Sequence, residues 1–276
     1  MSIVALIPAR GGSKSIPDKN IVNLLGNPLI EYTIKIAKES KFIDRVIVST
    51  DSEKISEISL KLGAEVPFLR PADISRDESP DIDVFSHAVD WLKNHQNYQP
   101  DLFVHLRVTS PFRETEVIDD AIDKILNNPN ADSLRSISIP NQSPFKMWKI
   151  IDDKLRPLIH TNIPDHHSMP RQTLPRVYWQ NCYVDIVRTK TIKKYKSMTG
   201  KNIIPYIIKS KYILDIDDEM DLIIAEIVGK KYFNKKFYDW NVNLIETGKA
   251  TMTGGRLKRL KKYLNKEKIW VILIAA

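Results

Sequence analysis

Apolar positions over residues 1–228 alternate between two periods. Residues 3–9 form a short apolar run that stops at a glycine pair, the pattern of a buried strand. Residues 28–40 carry Leu29, Ile30, Ile34, Ile36 and Ala37 behind Pro28, which predicts a helix with proline in its first turn. The same reading places strands over 45–50, 64–69 and 102–108, and helices over 51–62, 82–92 and 114–126. Strands alternating with helices of this length predict right-handed βαβ units and a mostly parallel sheet, an α/β fold. After Ser138 the alternation lapses. Residues 140–176 hold Pro140, Pro144, Pro157, Pro164, Pro170 and Pro175, which predicts an inserted, irregular or antiparallel excursion. Strands resume over 176–187, 203–208 and 212–216, and a helix follows over 218–228.

Composition narrows this picture. The chain has 276 residues, 42% hydrophobic and 28% charged, ordinary values for a globular protein. The length predicts one large domain with a remainder, here residues 1–228 and a basic extension over 229–276. One cysteine, Cys182, excludes an internal disulfide framework and a Cys-rich zinc module. The first residues lack a basic segment followed by a long apolar one, so no signal peptide is expected. No apolar run approaches the ~20 residues of a membrane helix. A cytoplasmic protein without a transmembrane segment is therefore expected. The net charge of +8 would point to nucleic acid if it were spread over the chain. It is not: +7 falls on residues 249–276, and the remainder is almost neutral. No nucleic-acid partner is expected.

Candidate chemistry begins where the first strand ends, at Pro8-Ala9-Arg10-Gly11-Gly12-Ser13-Lys14-Ser15-Ile16-Pro17-Asp18-Lys19-Asn20. In open α/β sheets ligands sit at the carboxyl ends of strands. Gly11 and Gly12 let the backbone approach an anion; Arg10, Lys14 and Lys19 supply positive charge, and Ser13 a hydroxyl. The loop is neither a Walker A motif nor a Gly-x-Gly-x-x-Gly fingerprint. Further on, Asp215-x-Asp217 places two carboxylates on one side of an extended segment. Spacing alone leaves two readings open: a pair of hard ligands for Mg²⁺, or an acidic helix N-terminus with Asp218 and Glu219.

The opening loop, followed by Val48-Ser49-Thr50-Asp51, Leu69-Arg70-Pro71, Thr109-Ser110-Pro111-Phe112-Arg113, Pro170-Arg171-Gln172 with Leu174-Pro175, and Asp215-Ile216-Asp217, resembles the acylneuraminate cytidylyltransferase family. That family comprises the CMP–sialic acid synthetases and their relatives, and the resemblance covers about residues 1–228. It implies a Rossmann-like sheet of the nucleotide-diphospho-sugar transferase type with an inserted dimerisation element over about 140–176. It implies transfer of CMP from CTP to a 2-keto sugar acid, an N-acylneuraminate or related nonulosonate, with release of pyrophosphate. Carried over position by position, it implies nucleotide contacts from Arg10, Gly11, Gly12, Ser13, Lys14, Lys19, Asn20, Arg70 and Asp81. Arg10 and Lys19 would act on the triphosphate, and Asp215 and Asp217 would hold Mg²⁺. Sugar contacts would come from Arg107, Thr109, Ser110 and Asn181. Lys146 and Arg171 would reach the neighbour's sugar pocket in a homodimer.

Two positions depart from the family pattern. Arg107 stands where glutamine is usual, so it would meet the sugar carboxylate or another substituent; an ion pair with Asp101 or Glu114 is the structural alternative. Cys182 stands where glycine is usual, and cysteine disfavours positive φ, so a different backbone is expected there, with the thiol small and buried. His160, His166 and His167 match no zinc spacing and are expected to be solvated or hydrogen-bonded. Trp148, Tyr178 and Trp179 would line the sugar pocket or pack an interface. Residues 240–268 resemble an internal segment of glucose-1-phosphate cytidylyltransferases; Leu257, Leu260, Tyr263 and Leu264 would otherwise form one face of a basic amphipathic helix. A non-catalytic nucleotide- or membrane-binding protein using this tail, and a nucleotidyltransferase for another sugar, are the alternatives to the sugar-acid enzyme.

Overall fold

The computed structural model describes residues 1–209 and 213–232. The chain divides into two units, Met1–Asn234 and Lys235–Ala276. The tail readings over 240–268 lie outside the described residues.

The first unit is built on a six-stranded sheet in the order β10-β6-β9-β5-β1-β4. Its strands are β1 (Ile3–Pro8), β4 (Arg45–Ser49), β5 (Leu102–His105), β6 (Ser133–Ser138), β9 (Trp179–Arg188) and β10 (Ile203–Ile207). β1 pairs in parallel with β4 and β5, and β10 with β6, while β9 runs antiparallel to both β5 and β6. The expected mostly parallel sheet is thus present, with one reversed strand. Two-residue strands β2 (Asn23–Leu24) and β3 (Asn27–Pro28) make a small separate ladder.

Alternation along β1 divides the core. Ile3, Ala5 and Ile7 pack on one face with residues of α1 (Leu29–Glu39), α4 (Thr115–Leu126) and α6 (Glu219–Tyr232). Val4 and Leu6 face the other way, toward α3 (Asp81–Gln96) and Ile192 of α5 (Thr189–Tyr195). Burial on both faces explains why these strands read as continuous apolar runs. The remaining helix, α2 (Glu53–Lys61), is capped by Ser52, whose hydroxyl accepts from the Ile55 amide. Gly229 lets α6 settle against Leu25 and Phe112, where a side chain would collide with both. Among the described residues no helix is long and apolar enough to cross a membrane.

Some expected elements differ. Residues 64–69 contribute only isolated bridges, Ile47 to Glu65 and Thr50 to Leu69, because Pro67 interrupts the ladder. Of the expected strand over 212–216, residues 213–216 carry no strand ladder; Ile216 is held by a single bond from its amide to the Thr109 carbonyl (2.8 Å). The proline-rich excursion contains a hairpin of β7 (Trp148–Ile151) and β8 (Lys154–Pro157), turned by Asp152 and Asp153 at φ 50° and 55°. β6 and α5 carry no clear period in the sequence. Cys182 keeps the positive φ (57°) that its replacement of glycine was expected to abolish, and it is half-buried rather than buried. It lies by a register irregularity between β6 and β9, where Asn181 accepts from the Ser136 hydroxyl (2.7 Å) and the Tyr183 amide (3.1 Å). Those bonds hold a left-handed residue despite its Cβ.

Two buried polar residues at strand ends carry consequences for stability. Arg188 closes β9 and donates to the carbonyls of Ala131 (2.7 Å), Ile125 (2.9 Å) and Asn128 (3.2 Å), satisfying the end of α4. Arg188→Met leaves those carbonyls unpaired and is expected to cost about 2–4 kcal/mol in urea unfolding; a change under about 0.5 kcal/mol would contradict this role. His105 closes β5, fully buried beside the Phe85 ring at 4.9 Å, with Asp81, Asp185, Arg107 and Arg135 as the charged groups around it. Burial pushes its pKa from 6.5 down to about 4, so the unfolded chain takes up a proton first on acidification. Its contribution to stability is complete above pH 6.5 and is lost as pH falls toward about 4. His105→Leu is expected to flatten stability against pH across that window; an unchanged slope would refute the buried neutral imidazole.

Candidate active site

The carboxyl ends of the parallel strands β1, β4 and β5 open on one edge of the sheet, and the loops that follow bring the charged residues together. After β1, the Arg10 carbonyl is held by the Asn20 side-chain amide (2.8 Å). The Gly11 amide donates to Asp51, just beyond β4 (2.8 Å). Gly12 adopts φ 66°, the region in which glycine is favoured. Ser13 is half-buried and Lys14 exposed. Asp77 pairs with two of the loop's three cations: with Arg10, and with Lys14 at 2.5 Å.

The loop is fastened to the segment carrying the acidic pair. Lys19 Nζ donates to the Ile216 carbonyl (3.0 Å) and lies 3.5 Å from Asp217 Oδ1, while the Ser15 hydroxyl donates to the Asp217 carbonyl (2.6 Å). Ile216 is fully buried between Asp215 and Asp217. Asp217 is exposed, and Asp215 Oδ1 is buried without a hydrogen-bond partner. An orphaned carboxylate oxygen beside a second, accessible carboxylate fits a divalent cation. Among the described residues no cluster of three or more His, Cys, Asp and Glu could hold a metal, so such a cation would draw its other ligands from elsewhere.

On the other side of the loop, Arg70 is buried, its Nε and Nη2 lack hydrogen-bond partners, and Nη2 lies 4.0 Å from Asp51. Burial pushes this guanidinium below its ordinary range, with Asp51 opposing. A buried, underused fork of this kind is suited to an acceptor supplied by a ligand. Next, Arg107 donates to Asp81 (2.6 Å) and approaches Asp185 (3.6 Å). The ion-pair alternative for Arg107 therefore involves Asp81 and Asp185, not Asp101 or Glu114. Burial works to raise the Asp81 carboxyl, but His105 and Arg107 outweigh it and hold it below the usual range.

Asp185, Arg135 and His105 lie side by side across β9, β6 and β5, and Arg135 bonds Asp185 at 2.8 Å. Gln180 adds a bond to the same carboxylate (2.9 Å). Sequence reading passed over Asp185 and Arg135, although a charge inside the apolar run Tyr183-Val184-Asp185-Ile186-Val187 is the signal that marks one. Asp51 entered only as part of a motif, without a role, and Asp77 was missed. Thr109 and Ser110 act here through their carbonyls, which accept from Ile216 (2.8 Å) and Arg113 (2.6 Å). Asn181 is buried in the β-irregularity with Nδ2 unpartnered. Burial raises the Cys182 thiol against the opposing pull of Arg107.

Lys146 and Arg171 stand apart from this cluster. Arg171 bonds the carbonyls of Asn141 (3.2 Å) and Pro140. Among the described residues, no hydrogen bond or ion pair joins either to the charged cluster. His166 and His167 are not solvated as expected. Their rings lie 3.9 Å apart, His167 stacks on Trp148 at 3.6 Å, and each has a buried, unpartnered Nε2.

A family model described as Cytidylyltransferase matches residues 4–198. The chain is 41% identical over 118 residues to the pseudaminic acid cytidylyltransferase of Campylobacter jejuni, a match covering 43% of this chain and 50% of that protein. It is 30% identical over 240 residues to the N-acylneuraminate cytidylyltransferase of Escherichia coli O18:K1:H7, covering 85% and 54%. The chain spans about half the length of these curated relatives. In fold it is similar to CMP:2-keto-3-deoxy-manno-octonic acid synthetase solved with CTP, with a TM-score of 0.63 at 14% identity over 84% of this chain and 99% of that one. A loop of cations tied to an acidic pair at the carboxyl edge of such a sheet, with a family match over most of the first unit, places the chain in the cytidylyltransferase family, among the acylneuraminate cytidylyltransferases and their relatives.

Proposed function

We propose that the chain is a CTP-dependent transferase that activates a 2-keto sugar acid, an N-acylneuraminate or related nonulosonate, as its CMP-sugar. One observation carries this reading: Lys19 and Ser15 physically join the cationic loop to Ile216 and Asp217, in the segment that also carries Asp215. Positive charge for a triphosphate and two carboxylates for a cation thus meet at one point. The relatives' printed activities support the same substrate class.

In this reading Arg10, Lys14 and Lys19 bind the triphosphate, Arg70 faces the base, and Asp215 and Asp217 hold Mg²⁺. Bound there, Mg²⁺ would neutralise phosphate charge and orient the reactants. The anomeric hydroxyl of the sugar acid loses its proton to solvent water and attacks the α-phosphorus; the bond to the β-phosphate oxygen breaks and pyrophosphate leaves. The residues work by positioning and by electrostatic stabilisation of the transferred group. A cytoplasmic setting fits a CTP-consuming enzyme, and the CMP-sugar would supply glycosyl transfer to cell-surface polysaccharide.

Arg107 refines the sugar reading. Its charge is already matched by Asp81 and by Asp185, itself shared with Arg135. A sugar carboxylate brought here would meet two resident carboxylates. The Arg107–Asp81 pair instead presents donor and acceptor together, the complement of an acylamino substituent. The sugar carboxylate then falls to other cations, including Lys146 and Arg171 of a second copy. The β7–β8 hairpin supports a homodimer: Ile150 is 74% exposed and Leu155 60%, with Trp148 nearby at 45%.

The test is pyrophosphate release with CTP, Mg²⁺ and a panel of 2-keto sugar acids. Asp217→Ala is expected to reduce kcat by about a hundredfold or more with an unchanged fold; retained Mg²⁺-dependent turnover would refute the metal assignment. Arg107→Gln is expected to lower the preference for an acylamino over a hydroxyl sugar acid by roughly tenfold in kcat/KM. A raised KM for CTP with unchanged sugar preference would move Arg107 to the nucleotide.

A further inference from the structure

The cations assigned to the triphosphate are already occupied by the protein itself. Asp77 sends one carboxylate oxygen to Arg10 and the other to Lys14, the latter at 2.5 Å. Lys14, with Arg10 behind it, holds the Asp77 carboxyl below the usual carboxylate range, so it is ionised at neutral pH.

Asp77 sits on a strap, residues 71–80, that runs from Arg70 to Asp81. Both ends are anchored: the Arg70 amide donates to the Thr50 carbonyl (2.7 Å), and Asp81 begins α3 while holding Arg107. Between them the strap bonds mainly to itself. The Ser75 hydroxyl donates to the Pro71 carbonyl (2.8 Å), the Arg76 amide to Ser79 Oγ (3.0 Å), and the Ser79 amide to the Arg76 carbonyl (3.2 Å). Ion pairs from Asp77 connect this self-contained turn to the loop after β1. Both pairs reach solvent: the Lys14 side chain is 84% exposed, and those of Arg10 and Asp77 are about one-third exposed. Exposed pairs are weak enough to be exchanged for a ligand's charge.

Resting on the reading of the loop as a triphosphate site, we propose that Asp77 is a resident stand-in for phosphate. Its carboxylate holds Arg10 and Lys14 in the empty protein, and the strap releases both when the nucleotide enters. Two carboxylate–cation contacts and two phosphate–cation contacts cannot share the same donors without bringing like charges together. Asp77 thus lowers affinity for the triphosphate, and equally for pyrophosphate, the product that leaves the same cations. It pre-sets the geometry of the loop while keeping product release easy.

The test is calorimetric titration of the full chain and of Asp77→Asn with CTP, pyrophosphate and cytidine, each with Mg²⁺. The variant keeps the side chain's shape and removes its charge. It is expected to bind CTP and pyrophosphate about two- to tenfold more tightly, with cytidine unchanged. Weaker CTP binding by the variant would overturn the proposal, because Asp77 would then act with the nucleotide. An equal gain for cytidine would also overturn it, since the strap would then act by bulk. Unchanged affinity for all three would overturn it as well. If the unaltered chain binds no CTP, the nucleotide reading itself falls, and the two failures are told apart.

Discussion

Charge compensation at the carboxyl edge of the sheet is the constraint on which the arrangement depends. Arg10, Lys14, Lys19, Arg107 and Arg135 each stand beside a carboxylate. Without those partners, cations gathered this closely would repel one another, and the buried members would pay heavily for desolvation. The pairings differ in permanence. Arg135 and Asp185 are both buried and are further fixed by Gln180 and by cross-strand register, so they are part of the framework. Lys14 and Asp77 are accessible, and Lys19 meets an exposed Asp217, so a highly charged ligand can exchange with them. One edge of the sheet thereby combines a rigid row of charges with a replaceable one.

Several buried polar groups lack hydrogen-bond partners, and two of them, on Arg70 and Asp215, flank the cationic loop. Arg70 has buried nitrogens without acceptors, and Asp215 has a buried oxygen without a donor. An unmet donor on one side of the cationic loop and an unmet acceptor on the other mark the two ends of a site in the physical sense. Each is costly when empty and is relieved when filled.

Much of this was legible in sequence because strands buried on both faces leave unbroken apolar runs, as at Ile3–Pro8 and Leu102–His105. The loop after β1 stood out because Arg10, Lys14 and Lys19 fall in one irregular stretch. Its acidic partners Asp51 and Asp77 did not, since they come from separate segments joined to the loop only by the fold. Local pattern also misjudged residues 64–69, where Pro67 leaves bridges in place of a strand. At Cys182 the expectation followed the intrinsic cost of a left-handed cysteine. Hydrogen bonds from Ser136 and Tyr183 to Asn181 hold that conformation, an energy that no single-residue preference contains. His166 and His167 likewise look like solvent-facing residues until Trp148 is placed against them.

One nucleotide is expected to span the edge from Arg70 to Asp217. A crystal structure of the full chain with CTP and Mg²⁺ would decide this. The base is expected at Arg70, the phosphates on Arg10, Lys14 and Lys19, a metal between Asp215 and Asp217, and Asp77 turned away from the loop. Nucleotide bound elsewhere, or phosphates seated away from those cations with Asp77 still paired to both, would contradict it.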